Sequence, residues 1–266
     1  ILPTDGDCLT SGIGAQNAID LAIDEFKKYT YLPPATDGGA RRPLVLVGCN
    51  DDSDGNVAVA AAKHLIDDVK VPAIIGAAFS GITLQVANET IKSGTFLISP
   101  SATSTAITKL VDNGLVWRTI ASDDIQADAH GAFYTVLETR LKKEVDAGSR
   151  PFKVVIAHKD DPYGIGLSEK LQDKLVINGK EFLALENKDN RDVVNYGNPD
   201  ENQNLDYTPS ITRVVGKKPD VVYLMGTTEV VTKMLAGIEA AWEAAWPSTP
   251  RPTYLLADGG LVAELP

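Results

Sequence analysis

Short apolar runs and amphipathic stretches alternate along almost the whole chain. Leu44–Val47, Ala73–Ile75, Thr95–Ile98, Val154–Ala157, Glu181–Leu185, Val221–Leu224 and Thr253–Leu256 are continuous and apolar rather than alternating. That is the pattern of strands covered on both faces. Between them the apolar residues recur at helical spacing. Ala15, Ile19, Ala22, Ile23 and Phe26 share one face, as do Leu84, Ala87 and Ile91. Leu167, Leu171 and Leu175 form a further stripe, and Val231, Met234, Leu235, Ile238 and Trp242 another. Strand-helix alternation of this kind predicts an α/β fold with parallel sheets and right-handed crossovers.

Two stretches interrupt the rhythm. Trp117–Asp124 (WRTIASDD) precedes a new helical pattern and reads as a hinge between two lobes. Asn187–Asp206 is polar, holds Gly197 and Pro199, and reads as a long surface loop.

Composition narrows the function. The 266 residues are 44% hydrophobic, enough for one large core or two moderate ones. No apolar run approaches the ~18 residues that span a bilayer. A formal charge of -11 argues against nucleic acid and against an anionic membrane surface. The two cysteines, Cys8 and Cys49, form no Cys-x-x-Cys pair, so structural zinc is not expected. Ile1 opens in mid-pattern, and the chain reads as mature or trimmed.

The candidate chemistry centres on Ala73–Ala87 (AIIGAAFSGITLQVA), an apolar strand that runs through Phe79-Ser80-Gly81 into a helix. A nucleophile elbow needs Gly-x-Ser-x-Gly, and Ala78 stands where its first glycine belongs. His64 and His130, two of the three histidines, lie in helical patterns rather than beside a nucleophile; the third is His158. Gly12-Ile13-Gly14 and Gly164-Ile165-Gly166 are partial dinucleotide fingerprints, with Asn17 and Glu169 at the third glycine position. Asp51–Gly55 lacks the bidentate Glu of a calcium loop. No cofactor or metal is therefore expected.

A second hydroxyl-rich loop, Ser99–Thr105 (SPSATST), follows the next strand. Consecutive parallel strands emerge at one edge, where ligands bind, so the two loops converge there. Helix-start N–H groups with the Ser80 and Thr103 hydroxyls suit a carboxylate. The same residues equally suit ordinary helix capping.

The order of several landmarks resembles the type I periplasmic solute-binding proteins of ABC transporters, in particular the branched-chain amino-acid-binding group. These landmarks are Gly14-Ala15, Asp51–Asp54, Ile75-Gly76 with Ser80, Ile98–Thr103, Arg118-Thr119 with Asp123 and Gln126, and Tyr163-Gly164-x-Gly166. The resemblance implies a two-lobed fold, each lobe a parallel sheet flanked by helices. The first lobe would span 1–120 with a chain return at 257–266, and the second 121–256. It implies that Ser80 and Thr103 hold a ligand carboxylate, while Ser101 and Thr103 help hold its ammonium. Phe79 and Ala102 would line the first-lobe side, Tyr163 would press from the second, and Asp258 would anchor the ammonium. Thr227 stands where the family often has an aromatic wall. In this topology Cys8 and Cys49 follow neighbouring strands, and a disulfide there would contribute about 4 kcal/mol; two free thiols are the alternative.

Against the family, the first strand survives only as Ile1-Leu2 and the later first-lobe elements are missing, so both ends read as truncated. The implied function is capture of a small amino acid or related carboxylate for ABC-type uptake, without catalysis. The implied partners are that ligand and a membrane permease, the protein itself a monomer. The implied location is periplasmic or extracytoplasmic, with a signal peptide, and room for a lipid anchor, in the precursor. A sensory receptor domain of the same fold and a Rossmann-type enzyme are the alternatives.

Overall fold

The computed structural model describes residues 1–4, 9–34, 36–144 and 150–261. Cys8 falls outside them, and with it the pairing with Cys49. The chain divides into two compact units: Ile1–Ala102 with Val111–Thr119, and Thr103–Leu110 with Ile120–Pro266.

The first unit carries helices α1 (Leu9–Tyr29) and α2 (Gly55–Lys63), strand β1 (Ala73–Ile75), helix α3 (Ser80–Ser93), and strands β2 (Phe96–Ser99) and β3 (Val116–Arg118). Asp54 starts α2 by accepting the N–H groups of Asn56 and Val57, the cap that an acidic residue provides at a positive helix end. The strands pair in parallel in the order β1-β2-β3, with Ile74 opposite Leu97 and Leu97 opposite Val116. Ile74 and Leu97 are buried, as are Ile82, Val86 and Ala87 of α3 and Ala58 and Ala62 of α2.

Leu44–Val47 is not a strand. Leu2 pairs with Asn50 in an isolated parallel bridge, and among the described residues no ladder continues back from it. An extended segment becomes a strand only where a neighbour satisfies its backbone groups. Here the neighbour reaches only the far end, and Val45 is left 70% exposed. Trp117 and Arg118, the first residues of the stretch read as a hinge, belong to the edge strand β3, and the boundary between the two units falls just beyond it, between Thr119 and Ile120.

The second unit contains α4 (Thr105–Thr108), α5 (Asp123–Glu144), β4 (Val154–His158), α6 (Pro162–Lys174), the hairpin β5 (Val176–Ile177) and β6 (Lys180–Glu181), and β7 (Arg191–Asn195). It continues through α7 (Thr208–Lys217), β8 (Val221–Met225), α8 (Ala236–Ala245) and β9 (Thr253–Leu256). The sheet order is β7-β4-β8-β9, parallel throughout. Every residue of β4 and β8 is buried, which explains their unbroken apolar sequence. One face of the sheet packs Tyr134, Leu167, Leu171 and Leu175; the other packs Val214, Met234, Ile238 and Trp242. The helical stripes at 167–175 and 231–242 are thus the core faces that their spacing predicts.

Two expectations change in this unit. The polar stretch Asn187–Asp206 contains β7, which lies at the sheet edge and among the described residues pairs only with β4. Its Val194 is buried, while Asp192 is held by both Arg213 Nε and Nη2 at 2.9 and 2.7 Å. An edge strand needs only one apolar face, so its sequence is mixed. Glu181–Leu185 is strand only at Glu181; beyond it Phe182 turns into the core and Leu185 is 82% exposed. Among the described residues, no helix is long and apolar enough to cross a membrane.

Candidate functional site

In the first unit the loops after β1 and β2 are stitched together by hydroxyl groups. Ser99, fully buried, donates its Oγ–H to Ala77 O at 2.6 Å and accepts the Ala102 N–H at 3.0 Å. Thr83 of α3 donates to the same Ala77 carbonyl at 3.0 Å. Ser101 Oγ–H reaches Ala78 O at 2.8 Å. Phe79, Ser80, Ser101 and Ala102 therefore lie on two adjoining loops. Ser80 opens the 14-residue helix α3, after Phe79 in an extended conformation (φ -89°, ψ 144°). Backbone N–H groups at such a start carry partial positive charge. Gly76 has φ +127°, and a Cβ there would lie 1.9 Å from Ile1 O, so the turn before this loop requires glycine.

In the second unit Thr103, Tyr163 and Asp258 join one polar network. The Asp123 N–H donates to Thr103 O at 3.0 Å. Gln126 Nε2 donates to Asp123 Oδ1 at 3.3 Å and to Asp258 Oδ1 at 3.0 Å. Tyr163 O–H donates to Asp258 Oδ1 at 2.6 Å and accepts the Gly259 N–H at 3.1 Å. Asp161 caps the helix that carries Tyr163 by accepting the Gly164 N–H at 2.7 Å. Asp258 itself is exposed, at the turn beyond β9. Burial and the Asp258 charge push the Tyr163 phenol well above its ordinary range, so it is a neutral donor.

Thr227 belongs to a different cluster in this unit. Its Oγ1–H donates to Glu229 Oε2 at 2.5 Å and its N–H to Glu229 Oε1 at 3.0 Å. Tyr196 O–H also reaches Glu229 Oε1, at 2.7 Å. Lys159 is 1% exposed, with Nζ 2.5 Å from Asp200 Oδ2 and 3.6 Å from Asp161 Oδ2. Burial works against its charge, yet Asp200, Asp161 and Glu229 together raise its pKa. His130 stacks edge-on against Tyr223 at 5.5 Å, and burial lowers its pKa against the opposing pull of Asp258.

Sequence reasoning left Lys159, Tyr196, Asp200 and Glu229 without a role, and used Gln126 only as a landmark. A signal for Lys159 was present: His158–Asp161 is a charged run directly behind an apolar strand, at the ligand-binding edge of a parallel sheet. Among the described residues, no group of three or more His, Cys, Asp or Glu is placed to hold a metal ion. The arrangement suits recognition by charge and hydrogen bonding: helix-start donors for an anion in one unit, a held carboxylate for a cation in the other.

A family model described as periplasmic binding protein matches residues 1–241. The chain is 26% identical over 229 residues to the Leu/Ile/Val-binding protein BraC3 of Rhizobium johnstonii, covering 85% of this chain and 53% of that protein. Among solved structures it is similar to the leucine binding protein LivK of Thermotoga maritima, with a TM-score of 0.72 at 21% identity. That match covers 97% of this chain and 62% of the other. It is also similar to the branched-chain amino acid transporter substrate binding protein LivJ of Streptococcus pneumoniae, solved with isoleucine. There the TM-score is 0.68 at 20% identity, again over 97% and 62%. The chain thus spans between about half and two thirds of the length of these relatives.

Proposed function

We propose, since this chain belongs to the periplasmic binding protein family, that it is a solute receptor for a small amino acid or related carboxylate. It acts outside the cytoplasm, delivers its ligand to an ABC-type permease, and makes or breaks no bond. The two compact units serve as ligand-binding lobes. Ser80 in the first serves the carboxylate and the Ser101 carbonyl the ammonium; in the second, Thr103 serves both ends, Asp258 the ammonium, and Tyr163 presses on the ligand. Phe79, Ala102 and Thr227 line the remainder.

The observation that carries this reading is Asp258, an exposed carboxylate fixed by Tyr163 and Gln126 beyond the C-terminal end of a parallel strand. A side chain pinned in that place is organised for a cation before any cation arrives, which lowers the cost of binding. The relatives named for leucine, isoleucine and valine make branched aliphatic amino acids the first ligands to test.

The test is a thermal-shift screen of the 266-residue chain against the common amino acids and a set of aliphatic and aromatic carboxylates. A ligand at a hundred times its Kd stabilises by about 2.7 kcal/mol, which raises Tm by roughly 5–10 °C in a chain of this size. The bound compound should be recovered chemically unchanged. A panel in which no amino acid or carboxylate shifts Tm, or a ligand recovered as product, would refute the assignment.

A further inference from the structure

The bonds on Asp258 are unevenly placed. Tyr163 O–H and Gln126 Nε2–H both fall on Oδ1, at 2.6 and 3.0 Å, and Oδ2 accepts no hydrogen bond among the described residues. Gln126 also accepts the backbone N–H of Asp258 at its Oε1, 3.0 Å away. One amide, 132 positions distant in sequence, thus grips both the side chain and the backbone of the acid. Its orientation is forced. The two Nε2 hydrogens face two carboxylates, Asp123 Oδ1 at 3.3 Å and Asp258 Oδ1 at 3.0 Å. Turning the amide over would set its oxygen against both acids and its NH2 against a backbone N–H. Asp123 is fully buried, and its own N–H is tied to Thr103 O, so the clamp has a fixed base.

We propose that Gln126 is the positioning residue for ammonium recognition, turning Asp258 so that Oδ1 is consumed internally and Oδ2 is kept for the ligand's cation. This rests on the reading of Asp258 as the ammonium anchor given above. Gln126 touches no ligand; it selects for an amine through Asp258. A ligand with the same carbon skeleton and carboxylate but no amine gains nothing from the clamp, and so loses nothing with it.

The experiment measures Kd for L-leucine and for its des-amino counterpart, 4-methylpentanoate, by calorimetry on the whole chain. Wild type is compared with Gln126→Met, which keeps length and removes the hydrogen bonds, and with Gln126→Glu, Asp258→Asn and the double variant Gln126→Met/Asp258→Asn. Hydrogen bonds to a charged group are the strong ones, so Gln126→Met should weaken L-leucine roughly 10- to 100-fold. Its affinity for 4-methylpentanoate should stay within about twofold of wild type. Gln126→Glu, which adds a third carboxylate, should weaken L-leucine at least as much. In the double variant the Gln126 change should add nothing to the loss from Asp258→Asn, because the two act as one unit.

A merely structural role for Gln126 would weaken both ligands alike, and that result overturns the proposal. So does additivity in the double variant. If Asp258→Asn loses L-leucine while both Gln126 variants keep it, this inference fails alone. If Asp258→Asn binds L-leucine as tightly as wild type, or wild type does not bind it, the underlying anchor assignment fails as well. Should Gln126→Met not fold, Gln126→Glu carries the same comparison.

Discussion

Tyr163 donates its phenolic hydrogen to Asp258 Oδ1 across 2.6 Å and takes the Gly259 N–H at 3.1 Å, closing a small ring of bonds at the end of β9. The ring depends on close backbone approach. A Cβ at Gly259 would stand 2.5 Å from Gly226 O and 3.0 Å from the Tyr163 oxygen. Tyrosine is needed as donor and acceptor at once, and glycine is needed to admit it.

Tyr163→Phe keeps the buried ring and removes both bonds. It should cost about 1–2 kcal/mol in urea unfolding, because the Gly259 N–H loses its acceptor while Asp258 keeps Gln126. An unchanged urea midpoint would mean that solvent replaces both bonds without loss.

Lys159 is a cation set among Asp161, Asp200 and Glu229 while almost fully buried. Lys159→Met should be severe, about 3–5 kcal/mol, since it leaves those carboxylates together without their cation. Asp200→Asn, at an exposed position that keeps the other acids, should cost only about 1 kcal/mol. Chemical denaturation of both variants checks the asymmetry, and equal losses would contradict it.

Ser99 and Ser101 are close in sequence and unlike in consequence. Ser99 is fully buried and serves three backbone groups, Ala77 O and the Ser101 and Ala102 N–H groups, so Ser99→Ala should destabilise the first unit by about 1–3 kcal/mol. Ser101 is exposed, and Ser101→Ala should cost less than about 1 kcal/mol and leave ligand affinity within about twofold, since the backbone carbonyl proposed for the ammonium is kept. Denaturation midpoints and ligand titrations, run side by side, separate the two effects.

His130 supplies a pH dependence with a definite sign. Burial lowers its folded pKa below the ordinary 6.5, with Asp258 pulling the other way. Below 6.5 the unfolded chain therefore binds the proton more readily than the folded one. The stability in question is present above that pH and is lost as pH falls through the folded value. Tm should drop between about pH 7 and pH 5, and His130→Gln should flatten that drop. A steeper drop in the variant would reverse the sign.

Much of the fold was legible because parallel strands between helices are written as unbroken apolar runs, although only β4 and β8 are buried along their whole length. β1, β2, β4, β8 and β9 were all marked in this way, and the stripe Leu167–Leu171–Leu175 gave the core face of α6 and its exit. Edge elements were not, since one exposed face admits polar residues: β7, with Arg191 and Asp192, reads as loop until β4 is seen beside it. Leu44–Val47 failed for the converse reason, having strand composition without a partner along its length. In the proposed site, Ser80 and Thr103 could be named from their loops, and Tyr163 and Asp258 only from the family resemblance. The Gln126 clamp could not, because it joins residues 132 positions apart and exists only once the turn beyond β9 has been brought to α5's first turn.

The central claim is that Ser80, Thr103 and Asp258 hold the two charged ends of an amino acid. Calorimetric titration of L-leucine into wild type, Ser80→Ala, Thr103→Ala and Asp258→Asn tests it most directly. The expected result is saturable one-to-one binding by wild type and a loss of roughly tenfold or more in each variant. Binding as tight in all three variants as in wild type would contradict it.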